Sequence, residues 1–283
     1  MMTTSDGIYD EACITERINT MRMREENTPR CHIYFTQEVD SRCRKLMVDW
    51  CFAVVDAFAL SRETVGVAMS ILDRYLSSGK GKSCYALTCT QAFQRTAITS
   101  LFMAIKIHEP AVLGLKLLVK LCRGVYRERD IIATENEILF ALDWRVYASS
   151  TSPMEYVRHF VQLLPECADA ADVILENAAR RMDVATSDVY FSTHWASSVG
   201  VACLAGALDD MYMISPLDSE ALWKKLSNFL DFDIASNEIR QVEKRLNAES
   251  SSCVSPMPSR ASLPRSSLNS GCEQPSSPGS VAQ

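Results

Sequence analysis

CRKLMVDWCFAVVDAFALSRETVGVAMSILDRYLSS, residues 43–78, is the stretch from which the fold class is read. Cys43, Leu46, Met47, Trp50, Cys51, Val54, Val55 and Phe58 recur at spacings of three and four, one continuous apolar stripe at the helical period. The pattern predicts a helix over 37–60. With Ser61 as a cap, a second helix follows over 62–77 and buries Val65, Ala68, Met69, Leu72 and Leu76. Nothing in the stretch alternates with the period of two that a strand would show.

The same period continues outward. Helices are expected over 86–107, stopped by Glu109-Pro110, over 113–122, and over 127–142 with Ile131, Ile132, Ile138, Leu139 and Leu142 as the buried face. After the linker ASSTSP, which ends at Pro153, five more pieces follow, over 154–164, 168–183, 192–208, 218–230 and 236–249. The expected fold is all-α, with two tandem five-helix units. In the third piece of the second unit, Ala196, Ser197, Ser198, Gly200, Ala202, Cys203, Ala205, Gly206 and Ala207 crowd one helix with small side chains. Such a helix lets its neighbours come close and is expected at the centre. Residues 1–30 show little periodicity and read as a flexible arm. Residues 250–283 are rich in serine and proline and read as a disordered tail, because they lack the apolar side chains to offset ordering entropy.

Composition narrows the function classes. The chain of 283 residues is 47% hydrophobic, enough for a sizeable core. Its 29 Lys+Arg against 35 Asp+Glu give a net charge of −6, so it lacks the overall positive field that draws nucleic acid. No segment reads as a signal peptide or a membrane span, and the eleven cysteines are never spaced CxxC, the pattern of reduced thiols. Nucleus and cytoplasm are the expected compartments, with no membrane and no nucleic acid as partner. GKGKS, residues 79–83, ends like a phosphate loop but lacks the strand and the first glycine of one, and reads as a solvated turn. His32, His108, His159 and His194 are widely scattered, so neither a metal nor a cofactor is expected. No catalytic constellation is legible, and the chain is not expected to be an enzyme.

Charge inside apolar helices stands out instead. Arg44, Asp73, Lys106 and Glu135 sit within or at the ends of the predicted apolar helices. Each alone fits a solvated face, and such side chains are seldom buried without a partner.

Read together, these stretches resemble the cyclin family. CRKLMVDW is similar to the family's hydrophobic-patch motif, ETVGVAMSILDRYLSS to the second cyclin-box helix, AIKIHEP to the Ala-Ser-Lys-x-x-Glu close of the third, and TENEILFALDW to the fifth. The resemblance spans about residues 30–249. It implies an N-terminal cyclin box over 31–147 and a C-terminal cyclin fold over 148–249. It further implies a regulatory subunit that binds and activates a cyclin-dependent protein kinase in cell-cycle control. Lys106 and Glu135 take the kinase-binding places, and Arg44 and Asp73 the places of a structural ion pair. Cys43, Leu46, Met47, Trp50 and Gln94 take those of a patch that receives Arg-x-Leu substrate or inhibitor peptides. Cys43 stands where the patch has methionine, Ala53 where it has an acid, and Arg95 where the family has leucine. LDWR, Leu142 to Arg145, is closer to D-type than to mitotic members. In the tail, Ser255-Pro256 and Ser277-Pro278 are proline-directed phosphorylation patterns. The competing readings are a transcription-associated cyclin-fold adaptor, which would need a basic face, and a scaffold without kinase activation.

Overall fold

The computed structural model describes residues 4–110, 113–146, 152–211, 223, 224, 227 and 236–252. Helices α1 (Thr4–Glu26), α2 (Ser41–Ala57), α3 (Glu63–Ser77), α4 (Ser83–Thr88), α5 (Thr90–His108), α6 (Leu115–Leu121) and α7 (Glu128–Ala141) come first. Then follow α8 (Pro153–Gln162), a 3-10 turn (Pro165–Ala170), α9 (Ala171–Ser187), α10 (Val189–Ser192), α11 (Ala196–Asp209) and α12 (Asn237–Ser252). Among the described residues there is no strand, and the fold is all-α. The helix expected over 218–230 and the tail with Ser255 and Ser277 lie outside the described residues, apart from isolated positions.

Local chemistry sets the helix ends. The first core helix starts at Ser41, later than expected, because Asp40 is extended and its Oδ1 accepts from Cys43 N at 2.8 Å, a side-chain cap. Ser152 caps α8 with Pro153 at the first helical position. The third expected helix is broken in two where Cys89 is extended, at φ −139 and ψ 111. Gly79 and Gly81, both at positive φ, form the turn read from GKGKS.

The side chains gather into two cores. One runs from Val39 to Val146, with α5 buried almost throughout between its neighbours. The other is built from α8, α9, α11 and α12. The small residues of α11 do place it centrally: Gly200 approaches α8, and Gly206 lies beneath the Arg181 guanidinium of α9.

The N-terminal arm requires correction. From Thr4 to Glu26 it is a helix, and Ile14, Ile18 and Met21 are buried in the second core, not the first. Their spacing of four and three is too short a signal in a polar run to stand out by itself. The helix is held by Glu25, whose Oε1 accepts from Ser197 N at 3.0 Å and whose Oε2 accepts from Ser197 Oγ at 2.7 Å and Tyr156 Oη at 3.2 Å.

Charged contacts join the two units. Arg62 Nε donates to Asp183 Oδ2 at 2.7 Å, Arg158 pairs with Glu63, and Arg44 Nη2 donates to Thr186 O at 3.3 Å.

Candidate functional site

Lys106 closes α5 and Glu135 lies mid-way along α7, and the packing of those two helices brings the ammonium and carboxylate into direct contact. Lys106 Nζ also lies 4.5 Å from the centre of the Phe102 ring. The side chains remain partly open, 34% for Lys106 and 16% for Glu135. Such a pair contributes little to stability, and either group can exchange its partner for a backbone carbonyl or amide of another protein.

Apolar side chains flank the pair. Ile107, Ile132, Phe140 and Trp144 are exposed. Phe140, five positions beyond Glu135, lines a hollow with Gly81 and Asn136, whereas Ile132, Glu135 and Leu139 fall along one side of α7 at helical spacing. Ile132 was expected in the core and is instead on this face, because Ile131 and Ile138 take the inward positions. After Ala141 the chain closes α7 through Asp143 N to Phe140 O at 3.2 Å and Trp144 N to Leu139 O at 2.8 Å. That closure holds Asp143 and Trp144 at positive φ and sets the Trp144 ring edge-on to Phe140, 5.9 Å between centroids. Phe140 was not singled out by the sequence, since a phenylalanine within a helical period looks like core. Its position off the stripe of Ile131 and Ile138 was the available signal.

Arg44 and Asp73 meet as a buried two-pronged pair, with side chains 3% and 2% exposed. Arg44 Nη2 to Asp73 Oδ2 is 2.9 Å, and Nη1 takes the other oxygen. Arg44 Nε is buried without a partner among the described residues. The pair links α2 to α3, and through Thr186 to α9.

Four of the five patch residues are buried or half-buried. Cys43, Met47 and Trp50 are buried, and Trp50 Nε1 finds no hydrogen-bond partner among the described residues. Gln94 is half-buried and its Oε1 accepts from Tyr126 Oη at 2.7 Å. Leu46 alone of the five is exposed. The apolar stripe of α2 faces inward because α3 and α5 cover it.

Burial pushes the Cys122 thiol up to about 11 and the Cys31 and Cys203 thiols up to about 12, so these sulfurs stay protonated at neutral pH. Among the described residues no three His, Cys, Asp or Glu side chains are grouped to hold a metal ion. No described helix is long and apolar enough to cross a membrane.

Residues 16–147 match the family profile described as cyclin, N-terminal domain. The chain is 25% identical over 239 residues to a Danio rerio protein named G1/S-specific cyclin-D1, covering 83% of this chain and 79% of that one. It is 23% identical over 225 residues to the Homo sapiens protein of that name, covering 78% and 73%. Among solved structures, the fold is similar to a viral cyclin from Herpesvirus saimiri, at TM-score 0.66 and 18% identity over 82% of this chain and 96% of that one. A chain of the CAK complex from Chaetomium thermophilum bound to ATP-gamma-S is similar at TM-score 0.51 and 14% identity, over 89% and 81%.

Proposed function

We propose, from the premise that this chain is a cyclin-box protein, that it is the regulatory subunit of a cyclin-dependent protein kinase in cell-cycle control. The carrying observation is the Lys106–Glu135 pair with the exposed Ile107 next to the lysine and Ile132 one turn before the glutamate. A charged pair that can exchange partners, with uncovered aliphatic side chains beside it, suits a helix of a second protein docking across α5 and α7. The similarity to proteins named G1/S-specific cyclin-D1 supports the same reading.

The chain contributes no catalytic group in this mechanism. Its binding energy favours the kinase arrangement that presents the docking helix, so association shifts the kinase population toward the active form. Lys106 and Glu135 release each other on docking and take backbone groups of the kinase. Each substitution to alanine removes a charge-assisted hydrogen bond of about 1.5–3 kcal/mol.

The test is titration calorimetry of the full chain against a panel of purified cyclin-dependent kinases, with phosphorylation assays alongside. At least one kinase is expected to bind and gain activity, and Lys106→Ala or Glu135→Ala to weaken it about tenfold or more. Failure to bind any kinase, or unchanged affinity in both variants, overturns the reading.

A further inference from the structure

The segment from α6 to the start of α7 carries a basic cluster, part of which makes no polar contact among the described residues. From Lys116 to Asp130 stand five basic side chains, Lys116, Lys120, Arg123, Arg127 and Arg129, against two acidic ones, Glu128 and Asp130. This local excess of three positive charges sits in a chain of net charge −6. All five basic residues are exposed. Asp130 is engaged at the start of α7, accepting from Arg127 N at 2.9 Å, and lies 3.8 Å from Arg129. Lys116, Lys120 and Arg123 have no side-chain hydrogen bond or ion pair among the described residues.

The backbone fixes how these groups are displayed. Lys116 and Lys120 are four apart on α6 and therefore share a side. Arg123 N then takes Lys120 O at 2.9 Å and Gly124 N takes Val119 O at 3.2 Å, a closure that holds Arg123 at φ +50 and Gly124 at φ +73. Arginine in that left-handed conformation is disfavoured where glycine is not. Beyond the turn Val125 is exposed, and α7 presents the positive end of its dipole to the same region.

We propose that this turn is a docking surface for a short acidic peptide segment of a partner protein, gripped by Lys116, Lys120 and Arg123 with Val125 as its apolar contact. Charge decides the occupant. Fields decay over about 8 Å at physiological salt, so a short Asp/Glu-rich segment lying within the patch meets the positive groups. A long polyanion would extend over the rest of a chain that is net negative and be repelled, which disfavours nucleic acid.

The test is fluorescence anisotropy of the full chain with a labelled Asp/Glu-rich peptide, its Asn/Gln counterpart, and a labelled single-stranded DNA. The acidic peptide is expected to bind and the Asn/Gln peptide not to. The double variant Lys116→Glu/Lys120→Glu is expected to lose about tenfold or more in affinity, and binding to weaken as salt rises. Arg123→Gly guards against misreading a folding defect: it should raise the melting temperature while lowering affinity for the acidic peptide. Equal binding of the two peptides, or unchanged affinity in the double variant and in Arg123→Gly, overturns the proposal. Tighter binding of the DNA than of the acidic peptide overturns it as well.

Discussion

Glu25 and Ser197 lie 172 positions apart in the chain, and the carboxylate of the first caps the helix that begins beside the second. Helix α11 has no capping side chain at its own start, Trp195, so the acceptor for Ser197 N comes from α1. Tyr156 of α8 donates to the same carboxylate, which ties three helices at one point.

Removing this carboxylate should loosen the second unit. Glu25→Ala leaves Ser197 N, Ser197 Oγ and Tyr156 Oη buried without their acceptor, a cost of about 1–3 kcal/mol. Thermal unfolding should show a lower melting temperature, and hydrogen exchange should quicken first in α1 and α11.

The same group makes stability depend on pH. Burial raises the Glu25 carboxyl above the ordinary carboxylate range, partly offset by the hydrogen bonds from Ser197 and Tyr156. Between the unfolded value and the raised folded value, the native state holds a proton that the unfolded state has released. The contribution of Glu25 to stability therefore falls as pH rises through that window and is level above it. Glu25→Gln can still accept from Ser197 N and donate to the two hydroxyls without the buried charge. It should flatten this part of the profile, and an undiminished slope in the glutamine variant would assign the effect to another group, of which Glu243, also raised by burial, is the first to examine.

Arg44→Ala should be among the most damaging single changes. It strands Asp73 as an unpaired buried charge, at about 3–5 kcal/mol. An Arg44→Met/Asp73→Leu double variant should recover part of that loss, because it removes both charges. A single variant melting within a few degrees of the parent would mean that Asp73 reaches water.

Two glycines in helices should respond with opposite signs. At Gly66 an added Cβ would meet only Thr186 Oγ1, at 3.9 Å, so Gly66→Ala should gain about 0.5–1 kcal/mol through the unfolded state. At Gly200 it would stand 2.8 Å from Pro153 O and 3.1 Å from Tyr156 Cβ, so Gly200→Ala must push α8 and α11 apart at about 1–3 kcal/mol. Denaturant titration resolves both.

Ile132→Ser separates docking from folding. Ile132 is 46% exposed, so its loss should change stability by no more than about 1 kcal/mol. Kinase affinity should fall markedly if the face beside Lys106 and Glu135 is the docking surface, and calorimetry would read it.

The sequence by itself determined the helical class, the stripe from Cys43 to Val55, the central placing of the small-residue helix, and the four charged residues worth following. Each is legible because period, side-chain size and charge are local properties of the chain. The tertiary structure decided which neighbour covers each stripe. Helical spacing places Cys43, Met47 and Trp50 on one face, but only the docking of α3 and α5 buries that face. Ile132 and Ile131 are indistinguishable as residues, and packing sends one outward and the other inward. The arm from Thr4 to Glu26 is a helix because a core formed from residues beyond 150 accepts Ile14, Ile18 and Met21, a long-range gain that no window of local sequence contains.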